Sequence, residues 1–117
     1  MTTGEFIAAV EAEAAKLPFV TQVVVADRTD YAIKLVLTIR PQLFVQLYAN
    51  MDSGTHGYTL VYRGQRLYGR DCDAQGWHRH PVGDPLAHES SEEGKREVEI
   101  AQFLHEVQDI LEEEKLL

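Results

Sequence analysis

The chain reads as an α+β domain. The predicted fold is a two-layer, five-stranded antiparallel meander with an N-terminal and a C-terminal helix packed on one face, in the order αβββββα. Helical apolar spacing appears at the start of the chain and again after residue 90. Between them the period is two, and the alternating runs are joined by short turns, which favours antiparallel neighbours. A length of 117 residues, 44% hydrophobic and 26% charged, suits one domain over residues 1–117 with one core.

Thr2-Thr3-Gly4-Glu5 fits a capping box with Thr2 as N-cap, and Phe6, Ile7, Val10, Ala14 and Leu17 follow at helical spacing up to Pro18. "FVTQVVVADRT" is short and β-branched. "YAIKLVLTIR" alternates, with Ile33, Leu35, Leu37 and Ile39 on one face and Lys34, Val36, Thr38 and Arg40 on the other; Pro41 stops it. "LFVQLYANM" places Leu43, Val45, Leu47 and Ala49 opposite Phe44, Gln46, Tyr48 and Asn50. "DSGTHG" is a turn, and "YTLVYRGQRLYGRD" is a hairpin about Arg63-Gly64, where glycine supplies positive φ. Residues 71–89 carry Gly76, Pro81, Gly83 and Pro85 and are predicted to form one long loop. Ser90-x-x-Glu93 is a second possible capping box. Gly94 weakens the turn it opens, and Ile100, Phe103, Leu104, Val107, Ile110 and Leu111 form an apolar helical stripe.

Charge is unevenly spread within a net of −8. Residues 31–80 hold six basic and three acidic side chains, net +3, and residues 81–117 hold three basic and eleven acidic, net −8. A basic middle fits an anionic ligand, and an acidic helix beside an ordinary sheet is the plain alternative. No apolar run is long enough to span a bilayer, so no membrane partner is expected. The acidic start is unlike a secretory signal and Cys72 is the single cysteine; both point to a cytoplasmic protein.

"RDCDAQGWHRHP", residues 70–81, concentrates the chemistry. His78-x-His80, with His88, Asp71 and Cys72 nearby, offers zinc-type donors, but the spacing matches no zinc signature. No metal or other cofactor is therefore expected, and a small metal-binding protein stays an alternative. An acid–base site needs less. His78, His80 and His88 can exchange protons near neutral pH, Asp71 can orient an imidazole, and Arg70 can hold a phosphate. Arg66 and Arg70 lie an even number of residues apart, so a regular strand puts both on one face with Tyr68 between them. Arg79 adds charge, and Tyr62, Tyr68 and Trp77 offer surfaces for unpaired bases. Each of these residues also has a structural alternative, with Trp77 as an edge plug and Arg70 as a loop pin.

The run "RLYGRDCD", the His-rich "GWHRHP" and "DPLAH", and the acidic C-terminal helix together resemble the TumE-like toxin family and related small α+β families over residues 31–110. Arg70, Asp71, His78, His80 and His88 match that pattern. Cys72 departs from it, standing where an Asn is expected, and "WHRHP" is denser than the pattern requires. The resemblance implies a toxin acting on RNA and encoded beside a helix-turn-helix antitoxin. The leading expectation is a metal-independent ribonuclease or RNA-binding protein with catalytic His78, His80, His88, Arg70 and Asp71, and substrate-binding Arg66, Tyr68, Arg79, Trp77 and Tyr62. The alternative from another class is a homodimeric interaction module that shares the apolar stripe of the last helix.

Overall fold

The computed structural model describes all residues, 1–117. Helix α1 spans Thr3–Ala14. Six strands follow: β1 (Gln22–Arg28), β2 (Ala32–Arg40), β3 (Leu43–Asn50), β4 (His56–Tyr62), β5 (Gln65–Asp73) and β6 (Gly76–His80). A one-turn helix α2 (Glu92–Lys95) precedes α3 (Ile100–Glu113). The strands lie in sequence order in one antiparallel sheet, so the α+β meander is as predicted but has a sixth strand. That strand comes out of the predicted loop. Asp73 Oδ1 accepts from the Gln75 N–H at 2.9 Å, and this tight Asx turn folds Gly76–His80 back against β5.

The predicted N-cap of α1 is present: Thr2 Oγ1 accepts from Glu5 N–H at 3.0 Å, and Glu5 Oε1 accepts from Thr2 N–H at 2.9 Å. The second cap sits one residue later than read, on Ser91, whose Oγ accepts from Gly94 N–H. It starts α2 only. A new start at Glu99 begins α3, without a side-chain cap.

Helices α1 and α3 cover one face of the sheet, meeting Ile33, Leu35, Leu37, Leu43, Val45, Leu47 and Leu60, most of which are fully buried. Each such side chain contributes about 2 kcal/mol from apolar burial. The whole apolar stripe of α3, Ile100 to Leu111, is in this core. This corrects the expectation that part of the stripe is free for a homodimer, because the sheet takes all of it. The opposite face of the sheet carries no helix. Its rows follow from the register: Lys34, Tyr48, Gly57, Asp71 and His78 are cross-strand neighbours in one row, and Val36, Gln46, Thr59, Gly69 and His80 in the next.

Candidate functional site

The site grows on the helix-free face at the β5–β6 edge. Asp71 pairs with His78 and Gly69 with His80, so alternation turns Asp71 and both imidazoles to the same side. His88 arrives from the connection after β6. Glu89 bridges back to Arg79, with its N–H donating to the Arg79 carbonyl at 2.8 Å and the Arg79 N–H donating to the Glu89 carbonyl at 3.1 Å. That bridge sets His88 against the strand histidines. Ring centroids are 5.0 Å apart for His78–His80, 4.8 Å for His78–His88 and 4.7 Å for His80–His88. The three histidines predicted from sequence therefore converge.

The electrostatics are specific. His80 Nδ1 lies 2.9 Å from the Pro85 carbonyl oxygen. A carbonyl only accepts, so Nδ1 carries the proton and donates it, and a neutral ring then has a bare lone pair on Nε2. Burial, then the nearby Arg66 charge, holds His80 below the usual histidine range, although Asp71 pulls the other way. Nε2 is sealed from solvent and has no hydrogen-bond partner, even though Asp71 Oδ2 is 3.1 Å away. Asp71 Oδ1 is likewise buried without a partner. Arg66 donates from Nη1 to Asp71 Oδ2 at 3.3 Å and from Nη2 to Thr59 Oγ1 at 3.0 Å. Its guanidinium lies over Gly69, where a Cβ would come within 3.4 Å of Arg66 Cζ and Nε. These groups line a polar cleft of about 420 Å³, completed by Gln46, Tyr48 and Thr55. Gln46, Tyr48 and Thr59 were not named as site residues, yet the alternation of "LFVQLYANM" had already turned the first two away from the core.

Several predicted site residues lie elsewhere. Arg70 and Tyr68 are on the helix face, opposite Arg66. The cause is a β-bulge: Leu60 pairs with Tyr68 and Val61 with Arg66, so Leu67 has no partner and the alternation slips there. Arg70 is fully buried. Its Nε and Nη2 donate to Glu106 Oε1 and Oε2 at 3.2 and 2.9 Å, and Nη1 donates to the Glu93 carbonyl at 2.7 Å. Arg70 is thus an internal tie between sheet, α2 and α3, and is corrected from catalytic residue or phosphate ligand to structural anchor. Burial opposes its charge, but the hydrogen bonds to Glu106, the charges of Tyr68 and Glu106 and the hydrogen bond to Tyr68 together outweigh it and hold its pKa above the ordinary arginine value. Tyr68 Oη donates to Glu106 Oε1 at 2.7 Å and stacks on Phe103, so it offers no face to a base. Trp77 is half-buried on the helix side, stacked on His56 and tilted against Tyr58, as an edge plug. Arg79 pairs with Glu89, and Tyr62 sits at the far end of the sheet beneath Arg40 and Arg63. Of the five predicted substrate contacts, only Arg66 joins the histidines. Burial, then Asp73, raises the Cys72 thiol, as expected for an unreactive cysteine.

Comparison of the chain with protein-family models, with curated proteins and with solved structures finds no match.

Proposed function

We propose that the cleft binds single-stranded RNA and cleaves it at the histidine cluster. The observation that carries the reading is the juxtaposition, on the helix-free face, of a partly exposed Arg66, the imidazole cluster and half-exposed aromatic rings. Tyr48 lies in the row of Asp71 and His78, and Phe44 pairs with Val61 opposite Arg66. Rings on an open sheet stack unpaired bases, and a guanidinium next to them binds the linking phosphate. The acidic side chains of α1, α2 and α3 belong to the other layer, so the net charge of −8 does not oppose an anion at this face. The resemblance to TumE-like toxins adds weight to RNA as substrate and to an antitoxin protein as partner.

In the cleavage step His88 takes the proton of the ribose 2′-OH as that oxygen bonds to the adjacent phosphorus, the bond from phosphorus to the 5′-oxygen breaks, and the departing oxygen takes up a proton from solvent water. The products are a 2′,3′-cyclic phosphate and a 5′-hydroxyl. Arg66 faces the phosphate charge. His80 cannot touch the RNA, because its Nε2 is sealed beneath Asp71; His88, the exposed member, can.

The test is fluorescence anisotropy with a labelled single strand and a matched duplex, followed by gel analysis of product ends. Single strands bind with a Kd of about 10⁻⁴ to 10⁻⁶ M at physiological salt. Tyr48→Ala weakens binding by about 1–3 kcal/mol, and Arg66→Ala lowers the salt slope by about one. Wild-type protein that neither binds nor shortens RNA at low salt ends the proposal.

A further inference from the structure

We propose that His78, His80, His88 and Asp71 form a binding site for one divalent first-row transition-metal ion, with zinc the best match. The observation behind this is two electron-rich atoms held together with nothing between them. His80 Nε2, a lone pair, and Asp71 Oδ2, a carboxylate oxygen, are 3.1 Å apart. They do not form a hydrogen bond, and Nε2 has no other partner. The His80 side chain is only 6% exposed, so water cannot relieve the repulsion. Such an arrangement calls for a cation. A proton on Nε2 would not resolve the contact, because no acceptor lies in hydrogen-bonding geometry around that atom.

The spacing fits a metal. Ligand atoms about 2.0–2.1 Å from a tetrahedral zinc lie about 3.3 Å from one another. Asp71 Oδ2 is 3.1 Å from His80 Nε2 and 3.8 Å from His78 Nε2, on either side of that value. The three imidazole donors lie within 4.8 Å of one another, so bringing those three onto one ion needs a shift of about 1.5 Å. His88 is the exposed member, on a connection rather than a strand, and has the room to make it.

The partners behind the ligands fit as well. A metal-binding histidine usually donates its other N–H to a carbonyl or carboxylate, and His80 does so to Pro85. Arg66 bonds Asp71 Oδ2 and fixes its carboxylate. Three imidazoles select a transition metal over magnesium or calcium, which prefer oxygen ligands. The sequence spacing concealed the site because Asp71 joins His78 through strand pairing rather than along the chain. An ion here borders the cleft, where it would supply Lewis acidity to a bound anion.

The inference goes beyond the RNA reading and stands without it. Untagged protein, stripped with chelator and dialysed, is titrated with Co²⁺ by visible absorption and with Zn²⁺ by calorimetry. The expected result is one ion per chain with the strong visible bands of low-coordinate cobalt. His88→Ala and Asp71→Asn weaken binding at least about 100-fold, the upper range for losing even an outer partner, while His105→Ala on the exposed face of α3 changes nothing. His80→Ala gives the same loss if circular dichroism shows it folded; exposed His88 keeps the test decisive if it does not. No binding by wild-type protein at millimolar ion, or equal binding by His88→Ala, overturns the proposal. RNA cleavage that persists in stripped protein lacking Co²⁺ binding sinks the metal site alone. Co²⁺ binding without RNA binding or cleavage sinks the RNA reading alone.

Discussion

Replacing Arg70 by Leu tests the division of labour between the two faces of the sheet. In the wild type, five guanidinium contacts within 3.3 Å reach Tyr68 Oη, both Glu106 oxygens, the Glu93 carbonyl and Glu93 Oε1. Leucine fills part of the volume but leaves Glu106, whose side chain is 15% exposed, with only the longer 3.6 Å contact to Arg96 as a charge partner. Removing one member of a buried pair costs about 3–5 kcal/mol. For 117 residues the unfolding entropy is about 0.25 kcal/mol/K, so a 4 kcal/mol loss lowers Tm by roughly 15 °C. Urea titration and calorimetry measure both quantities. Adding Glu106→Gln to Arg70→Leu recovers part of the loss, because no buried carboxylate then remains short of its main charge partner. At a temperature where the variant is folded, Co²⁺ and RNA binding are unchanged. A cost under about 1 kcal/mol would refute the anchor. So would loss of RNA binding by folded protein, which would return Arg70 to the ligand role.

Other outcomes follow from the same geometry. Gly94→Ala ought to stabilise a helix by about 1 kcal/mol on propensity. Here the new Cβ would sit 2.4 Å from the Glu89 carbonyl oxygen, so a net loss of about 1–3 kcal/mol is expected in urea titration. Burial, then the hydrogen bond to Glu106, pushes the Tyr68 phenol up to about 12. A raised folded-state pKa stabilises the fold fully below the unfolded value near 10, and this is lost as pH climbs from there toward 12. Tyr68→Phe therefore flattens the alkaline limb of a stability–pH curve. The free sheet edge is β1, and a bulge between Val25 and Asp27, with Asp27 and Arg28 beside it, blunts further pairing. Size-exclusion mass should be that of one chain at both low and high micromolar concentration, and a rising mass would revive the homodimer.

Much of this architecture was legible because alternation is local. Ile33 to Ile39 and Leu43 to Ala49 declare their buried faces without any knowledge of the fold. Thr2 and Glu5 declare a helix start in four residues. The histidines were legible as a concentration but not as a geometry, since His88 reaches the site through the Glu89–Arg79 bridge, a contact no spacing rule contains. The sixth strand was hidden because its five residues mix Trp, His and Arg, without an apolar period. Arg70 was misread for a related reason. An arginine at the end of a basic strand looks like a ligand unless the helix supplying Glu106, 36 residues on, is known to lie above it.

The bulge at Leu67 has the widest consequences, and deletion tests it. In a regular strand, removing one residue turns every side chain before the gap to the opposite face. Deletion of Leu67 should do nothing of the kind. Tyr68 already pairs with Leu60 and Arg66 with Val61, so the shortened strand keeps both pairings, and Tyr62 still meets Gln65 at the turn. Arg66 stays on the cleft face and Tyr68 on the helix face. The cost is the partial burial of one leucine, about 1 kcal/mol. Deletion of Gly69 uses up the same slack: Arg66 keeps its pairing with Val61, but Tyr68 turns onto the cleft face and loses Glu106, so it should cost stability that deletion of Leu67 does not. Equal damage from the two deletions would mean that β5 is regular through Leu67, and would put Arg66 back on the face of Arg70, away from the histidines.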